Sequence, residues 1–227
     1  MRLTTRDSQL IKDMALSHVL SRDQIIDLRY FSSITRANTR LRGLQSLGLL
    51  RKIETPFFAQ SLYAVGSKAE IVLGERIARI VAGRSQSPRF LQHALCTTNV
   101  RIAMMKNGAT GWRFEQQLRS CFDFQGKSYE VRPDGMAVYP SGLVAVEVDL
   151  GHVAPTKFRE KLVGYSAFVE SGECSRQWKA STFSLLVVTT GKLRASRLCK
   201  LVPAKASFEF ECHTFDRLGI SFAGSWS

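Results

Sequence analysis

The stretch from Val131 to Tyr165 constrains the fold of this chain more than any other part. It contains two alternating apolar runs, MAV and LVAVEVDL, which are joined by a Pro-Ser-Gly turn and followed by a segment with helical spacing. Two alternating runs around a short Pro/Gly turn predict a β-hairpin. Because side chains alternate between the two faces of a strand, Glu147 and Asp149 are expected to point to the same side of the sheet.

Three carboxylates gather in this predicted hairpin. Asp134 stands at its entrance, and Glu147 and Asp149 follow on the second strand. An acidic side chain inside a run of Val and Leu is costly to bury without a partner. Carboxylate oxygens are the ligands that hard cations prefer, so Asp134, Glu147 and Asp149 predict a site for Mg²⁺ or Mn²⁺. Alternatively, these carboxylates are paired to Arg and Lys, as buried carboxylates usually are.

The order of these residues resembles that of a known enzyme core. Asp134, then Glu147 and Asp149 on the next strand, then a helix with Lys161 and Tyr165, is similar to the PD-(D/E)XK nuclease core. More closely, most of the chain resembles the plasmid replication-relaxation family, in which a winged-helix domain precedes that core. The resemblance implies metal-dependent nicking or relaxation of DNA in plasmid or mobile-element replication or mobilisation.

The resemblance also implies a set of catalytic residues. The Lys that is usual at the third position of the motif is replaced here by Asp149, and Lys161 on the following helix is the residue that would serve instead. Lys161 could equally be one more surface cation. Glu115 is a candidate by resemblance alone, and otherwise is a solvated charge beside Arg113 or Arg119. The catalytic candidates are Asp134, Glu147, Asp149, Lys161 and Glu115.

The beginning of the chain predicts a winged helix-turn-helix. Three amphipathic helices are predicted, of which the second is capped by Ser21 with Gln24 three positions later, and the third is ended by Gly48. Two short β-runs, LLRKIE and LYAV, then complete the winged-helix order. The polar face of the third helix and the wing offer residue types that reach phosphates and base edges. The predicted DNA-contacting residues are Thr35, Arg36, Asn38, Thr39, Arg40, Arg42, Arg51 and Lys52.

These patterns together predict an α/β protein (α+β overall) of two domains. Residues 1–83 are assigned to the winged helix, and residues 84–227 to a restriction-endonuclease-like α/β/α core with a mixed sheet. An amphipathic helix at Ser67–Ala82 precedes a small polar linker at Gly83–Pro88, although the boundary could instead fall before that helix. The buried strand FSLLVVTT follows the helix that carries Lys161, which makes a β-α-β crossover and favours parallel pairing.

The charge balance indicates a polyanionic partner. The chain has 32 Lys and Arg against 19 Asp and Glu, which gives a net charge of +13. Nucleic acid is the simplest such partner, because neutralising phosphates releases counterions. With the winged-helix order, double-stranded DNA is the predicted partner. The alternatives are a winged helix used only for protein contacts, a basic RNA-binding module, and a ribosome-associated or membrane-surface protein.

Cysteine usage and hydropathy bear on the compartment. The five Cys have no CxxC spacing and the four His are isolated, which argues against a zinc site or a disulfide framework and for a reducing environment. The N-terminus lacks the apolar core of a signal peptide, and no apolar run approaches the ~20 residues that span a bilayer. A cytoplasmic protein without membrane contact is therefore predicted.

Two functions remain open from the sequence. In the first, the protein is an enzyme that binds double-stranded DNA and cleaves it with a divalent metal. In the second, it is a non-enzymatic, sequence-specific regulator of transcription or replication initiation, and its silent nuclease-like domain serves dimerisation or partner docking. A homodimer would fit a palindromic site, but the sequence leaves the oligomeric state undecided.

Overall fold

A computed structural model describes residues 2–74 and 87–221. The chain divides into two compact units, unit 1 (Met1–Ile102) and unit 2 (Ala103–Ser227), so the division by contacts falls within a helix at Pro88–Lys106. The predicted boundary between residues 83 and 84 lies outside the described residues, as does most of the predicted linker. Of the predicted helix at Ser67–Ala82, the structure describes a short turn of helix at Glu70–Leu73, and residues 75–82 lie outside the described part.

Unit 1 combines helices with a small antiparallel sheet. Its described elements are α1 (Thr5–Ser17), β1 (Leu20–Ser21), α2 (Arg22–Asp27), α3 (Ile34–Ser46), β2 (Leu50–Ile53), β3 (Leu62–Val65), α4 (Glu70–Leu73) and most of α5 (Pro88–Lys106). The three strands pair antiparallel in the order β1-β3-β2. The succession from α1 to β3 is compatible with the predicted winged helix.

The start of α2 shows how local sequence sets these elements. The Ser21 side chain accepts a hydrogen bond from the Gln24 backbone N–H (3.1 Å), and the Ser21 N–H donates to Gln24 Oε1 (3.0 Å). This is the predicted capping box, which is confirmed. The Gln24 amide also donates to the Leu95 carbonyl (2.8 Å) and to Asn99 Oδ1 (2.7 Å) on α5, so the cap fixes α2 against that helix.

Helical periodicity explains the core of unit 1. Leu10, Ile11 and Met14 recur at helical spacing on α1, and Leu41 and Leu44 do so on α3. All five are fully buried and belong to one hydrophobic cluster. The helices therefore pack through the apolar stripes that the sequence predicts.

Unit 2 contains a larger sheet and a separate hairpin. Its described elements are β4 (Gly111–Phe114), α6 (Glu115–Leu118), β5 (Ser120–Phe124), β6 (Lys127–Val131), β7 (Gly135–Tyr139), β8 (Gly142–Asp149), α7 (Pro155–Glu170), a π-helical turn (Cys174–Trp178), β9 (Ser184–Thr189), α8 (Lys192–Cys199), β10 (Glu209–Thr214) and a 3-10 turn (Asp216–Leu218). The main sheet has the order β10-β9-β8-β7-β4.

The pairing within this sheet confirms the predicted fold class. The strands β8, β9 and β10 are parallel neighbours, whereas β7 pairs antiparallel with both β8 and β4. The sheet is mixed, the β7–β8 hairpin is present, and β8-α7-β9 is the predicted parallel crossover. The β5–β6 hairpin is a feature that the sequence patterns did not predict.

The helices α7 and α8 pack on the sheet through apolar side chains. Phe158, Leu162 and Tyr165 lie on one side of α7 because they recur at three- and four-residue spacing, and all three are buried. They share a hydrophobic cluster with Leu198 of α8 and with Ala145 of β8. This packing decides which strand residues face α7. Across the described part of the chain, no helix is both long and apolar enough to cross a bilayer.

Candidate functional site

Asp134 is held at the entrance of the β7–β8 hairpin by the backbone of β8. Its N–H donates to the Val146 carbonyl (2.9 Å), and its Oδ2 accepts from the Val148 N–H (2.7 Å). The next residue, Gly135, leaves room for the ring of Trp112 on β4. A Cβ at Gly135 would lie 2.0 Å from a carbon of that ring. The absence of a side chain at Gly135 thus allows β4 to pair directly beside Asp134.

Glu147 is the buried centre of this site. It lies on β8, is 4% exposed, and both of its carboxylate oxygens are bonded to side chains of α7. Lys161 Nζ lies 2.5 Å from Oε2, and the Tyr165 hydroxyl donates to Oε1 at 2.6 Å. Lys161 and Tyr165 stand four residues apart, so one face of α7 presents both donors to the same carboxylate.

The electrostatics of the site follow from burial and from these contacts. Burial raises the pKa of Glu147, and the Lys161 ammonium opposes that rise while the Asp134 carboxylate adds to it. Burial alone would lower the pKa of Lys161, but the charges of Glu147, Asp134 and Glu115 raise it overall, so this side chain is an ammonium at neutral pH. The charges of three predicted catalytic carboxylates therefore all raise the pKa of Lys161, which is the predicted catalytic cation.

Tyr165 serves the site as a hydrogen-bond donor. Burial, followed by the charge of Glu147, raises the pKa of its hydroxyl well above the ordinary value. The phenol keeps its proton and is 1% exposed. Such a hydroxyl orients the Glu147 carboxylate and is poorly suited to act as a nucleophile, because a nucleophile must lose its proton and reach the substrate.

Asp149 belongs to a different constellation, which corrects its predicted grouping with Asp134 and Glu147. Its Oδ2 accepts from Arg194 Nε (2.7 Å) and from the Thr189 hydroxyl (3.0 Å), and its Oδ1 accepts from Arg194 Nη2 (3.1 Å). Arg194 also donates to the Val153 carbonyl (2.7 Å). The two-point Arg–carboxylate geometry satisfies Asp149 without a metal ion. Among residues 2–74 and 87–221, no group of three or more His, Cys, Asp or Glu is arranged to hold a metal.

Glu115 lies at the edge of the site rather than at its centre. It forms an ion pair with Arg132, a partner that differs from the Arg113 and Arg119 considered from the sequence. Its charge still contributes to raising the pKa of Lys161. Glu115 is thus part of the electrostatic surroundings of the site.

The residues that suit a divalent cation are Asp134 and Glu147. Both offer carboxylate oxygens, which Mg²⁺ and Mn²⁺ prefer, and the charge of one raises the pKa of the other. Asp149 is bonded by Arg194 and Thr189, whereas Glu147 is bonded by Lys161 and Tyr165, so Asp149 stands apart from these two carboxylates as a candidate ligand. A divalent cation at the β7–β8 hairpin would therefore have Asp134 and Glu147 as its protein ligands.

A second candidate surface lies on α3 of unit 1. Its exposed polar residues are Thr35, Arg36, Thr39 and Arg42, with Asn38 half-buried between them. Arg36 Nη1 donates to the Ser32 hydroxyl (3.1 Å), and Arg42 Nε donates to the Asn38 carbonyl (3.3 Å). These contacts are local and leave both guanidinium groups at the surface. On β2, which the sequence predicts to belong to a wing, Arg51 and Lys52 are exposed, and Lys52 forms an ion pair with Glu54 (3.1 Å).

Arg40, predicted with this surface, has a different position. Its Nε donates to Asp7 Oδ1 (2.8 Å), and its Nη2 bonds Asp7 Oδ2 and the Arg2 carbonyl (2.9 Å). The Asp7 side chain is fully buried, and that of Arg40 is 19% exposed. Burial would raise the pKa of Asp7, but hydrogen bonds from Arg40 and Thr4 lower it to about 2. Arg40 ties α3 to the capping carboxylate of α1, which conflicts with its predicted role in contacting DNA.

The partner of Asp149 was detectable from the sequence in principle. The carboxyl ends of parallel strands meet at the same edge of a sheet. Because β8 and β9 are predicted to be parallel, a side chain soon after β9 shares an edge with the end of β8. Arg194 is five residues beyond Thr189, where β9 ends. The pairing of Arg40 with Asp7 has no comparable signal.

Comparisons with known proteins agree with the sequence resemblance at the level of family. The family described as "Replication-relaxation" matches residues 12–182, which is most of the chain. No curated protein matches it. A solved structure, the crystal structure of protein VC1899 from Vibrio cholerae, aligns over 96% of this chain and 55% of that chain, with 9% identity and a TM-score of 0.33. The chain thus spans about half the length of that protein.

Proposed function

Because the chain belongs to the replication-relaxation family, we propose that it binds double-stranded DNA through α3 and acts on that DNA in the replication or mobilisation of plasmids or mobile elements. Membership of this family supports a role in the replication or relaxation of such DNA. The proposal also includes binding through a winged helix, cleavage of a DNA strand and a cytoplasmic location.

The observation that carries the DNA-binding proposal is the exposed polar face of α3. Arg36 and Arg42 lie at the surface with Thr35 and Thr39, on a helix that a serine cap begins at Ser33. Arginines supply phosphate contacts, and hydroxyl and amide side chains reach phosphates or base edges. The net charge of +13 supports the same partner, because it draws a polyanion to the protein.

Binding to a duplex is tested by fluorescence anisotropy at several salt concentrations. Replacing Arg36 or Arg42 by Ala should weaken binding to all duplexes, and each change should flatten the salt slope by about 0.9, the contribution of one phosphate contact. Lys12→Ala is the matched control, since Lys12 is an exposed cation on α1. Equal affinities for the wild type, Arg36→Ala and Arg42→Ala would refute the proposed role of α3.

A second proposal concerns cleavage of the phosphodiester backbone at Asp134, Glu147 and Lys161. It is supported by the 2.5 Å contact between Lys161 Nζ and the buried Glu147 carboxylate. Mg²⁺ or Mn²⁺ held by Asp134 and Glu147 would polarise a phosphoryl oxygen and lower the pKa of its bound water. The Lys161 ammonium stabilises negative charge on the phosphoryl group, and Tyr165 keeps the Glu147 carboxylate oriented.

A supercoiled-plasmid assay with Mg²⁺, with Mn²⁺ and with EDTA tests this activity. The expected result is open-circle DNA that forms only with metal and is lost in Glu147→Ala while duplex binding persists. Glu209→Ala is the matched control, because Glu209 is an exposed carboxylate at the start of β10. Plasmid that is retarded but uncut with Mg²⁺, with Mn²⁺ and with EDTA would refute the nuclease proposal.

The alternative is a non-enzymatic DNA-binding regulator. It is favoured by the fact that both Glu147 oxygens and both Asp149 oxygens are already bonded to protein groups. In that case the second unit serves dimerisation or partner docking. Such a regulator would bind one DNA site equally well in EDTA and would leave it intact, and sedimentation with a palindromic duplex would reveal a homodimer.

A further inference from the structure

A groove in unit 2 lies between β6 and the exposed side of α7. Its volume is about 880 Å³, and it is lined by residues of β6, by the loop before α7 and by α7 itself. Lys161 lines this groove, and its Nζ is the atom that contacts Glu147 at 2.5 Å. The groove therefore borders the lysine of the candidate carboxylate site.

The charge of the groove favours an anionic occupant. Four cations and two carboxylates line it. The carboxylates are already paired, Glu160 with Lys157 and Glu130 with Arg119. Lys127 and Arg159 are exposed, and neither has an ion-pair partner within the described parts of the chain. These two side chains are thus available to an incoming phosphate backbone.

The walls of the groove also carry exposed apolar surface. Val153 is 36% exposed and Val163 is 43% exposed, and the half-buried ring of Tyr129 lies beside them. A duplex presents its phosphates and sugars outward and keeps its base faces stacked inside. An unpaired strand exposes those faces, which bind apolar and aromatic side chains while its phosphates bind cations. The combination of apolar walls with Lys127 and Arg159 fits a single strand better than a duplex.

We infer that this groove binds a short segment of single-stranded DNA next to Glu147 and Lys161. The inference rests on the proposed function, because a protein that nicks or relaxes DNA must handle an unpaired strand beside the site of cleavage. Lys127 and Arg159 bind phosphates along the groove, and Val163 contacts base or sugar surface. The groove is a site distinct from the duplex-binding surface proposed on α3.

Anisotropy with a labelled oligo-dT of about 12 nucleotides, a length within the range of single-strand sites, tests the inference. The double variant Lys127→Ala/Arg159→Ala should lose affinity on the order of tenfold at low salt, and its salt slope should flatten by about 1.4, since each single-strand phosphate contact contributes about 0.7. The matched control is Lys205→Ala/Arg197→Ala, which removes the same charges from exposed positions that do not line the groove.

A second pair of variants tests the apolar wall. Val163→Asp should weaken binding of oligo-dT, whereas Leu193→Asp should not, because Leu193 is 68% exposed and lies outside the groove. The inference would be overturned if each groove variant lost no more affinity for oligo-dT than its control, or if the groove variants lost none. Tighter binding of oligo-rU than of oligo-dT would overturn the assignment to DNA.

Duplex binding separates this inference from the function on which it rests. The Lys127→Ala/Arg159→Ala protein should keep the duplex affinity of the wild type, and Arg36→Ala should lose duplex affinity but keep binding of oligo-dT. If Arg36→Ala keeps the duplex affinity of the wild type while Lys127→Ala/Arg159→Ala weakens binding of oligo-dT, the proposed role of α3 fails and the groove stands. If Arg36→Ala weakens duplex binding while Lys127→Ala/Arg159→Ala binds oligo-dT as the wild type does, the groove fails and the proposed role of α3 stands.

Discussion

Lys161 Nζ lies 2.5 Å from Glu147 Oε2, and this contact joins α7 to the centre of the β-sheet. The carboxylate is almost completely buried, whereas the lysine side chain is 41% exposed. One end of the pair is therefore fixed in the core and the other faces the groove. The pair thus ties α7 to the sheet and leaves the ammonium group partly exposed at the groove.

Replacing Lys161 by Met should destabilise unit 2 in a pH-dependent way. Without the ammonium, the already raised pKa of Glu147 should rise further. A carboxyl group with a folded-state pKa above its unfolded value stabilises the fold below the unfolded pKa and loses that contribution as pH rises through the folded pKa. We expect a loss of about 1–3 kcal/mol at neutral pH, which is the cost of an unsatisfied buried polar group.

Urea unfolding at about pH 5 and about pH 8 measures this effect, and the deficit should be larger at the higher pH. Lys157→Met is the control, because Lys157 is an exposed cation of the same helix. Lys161→Arg should restore most of the stability. A deficit that does not change with pH would contradict the assignment.

Tyr165→Phe should test the second hydrogen bond to Glu147. The ring would keep its place in the core, so only the 2.6 Å hydrogen bond is removed. The expected loss in the free energy of unfolding is about 1 kcal/mol. The pKa of Glu147, followed by carboxyl-selective NMR, should also rise, because the hydroxyl lowers it in the wild type. An unchanged pKa would show that the hydroxyl does not act on Glu147.

Asp149 and Arg194 should behave as a coupled pair that is independent of Lys161. A double-mutant cycle of Asp149→Ala and Arg194→Ala should give a coupling of about 1–3 kcal/mol, as expected for contacting charges. The cycle of Arg194→Ala with Lys161→Met should be additive within about 0.5 kcal/mol, since the two cations bond different carboxylates. Strong coupling in the second cycle would instead unite Asp149 with Glu147.

Arg40→Ala should destabilise unit 1, in contrast to Arg36→Ala. The change leaves the buried Asp7 carboxylate without its guanidinium partner, at an expected cost of about 1.5–3 kcal/mol. Arg36 is exposed and its removal should leave the unfolding midpoint nearly unchanged. Thermal unfolding at neutral pH compares the two variants. Equal midpoints would show that Arg40 is not needed to hold α3 to α1.

The contribution of the Asp7 carboxylate to the free energy of unfolding should disappear in acid. Its folded-state pKa is lowered to about 2, below the ordinary value of 3.8. A depressed carboxyl pKa gives stability that is present above the unfolded pKa and is lost as pH falls through the folded pKa. The stability difference between the wild type and Asp7→Asn should therefore be full at pH 6 and shrink between about pH 4 and pH 2. A constant difference over that interval would refute the assigned pKa.

Gly135→Ala should disrupt the strand pair beside Asp134. The added Cβ would lie 2.0 Å from a ring carbon of Trp112, so the ring or the strand must move. We expect a loss of about 1–3 kcal/mol, the usual cost of overpacking. Adding Trp112→Leu should recover part of that loss by removing the ring. An unchanged free energy of unfolding in Gly135→Ala would show that the Trp112 ring of β4 does not pack against position 135.

Much of the local structure follows from the sequence alone. An apolar run that ends in the alternating residues VEVDL, with a Pro-Ser-Gly turn before it, was enough to predict the β7–β8 hairpin, and a serine followed by a glutamine three residues later predicted the cap of α2. The continuous apolar run of β9 predicted its burial beside β8. Each of these features depends on neighbouring residues, so the physical cause lies within a few positions of the chain.

The choice of partner for each charge depends on the tertiary structure. Arg40 bonds an aspartate 33 positions away, Arg194 bonds one 45 positions away, and Arg101 bonds Asp13 across 88 positions. Periodicity places such side chains on a face of their own helix but carries no information about which distant element packs there. The sequence by itself determined the hairpin and the acidic residues within it. Only packing decided that Glu147 bonds Lys161 while Asp149 bonds Arg194, because a buried carboxylate pairs with whichever cation the folded chain brings within reach.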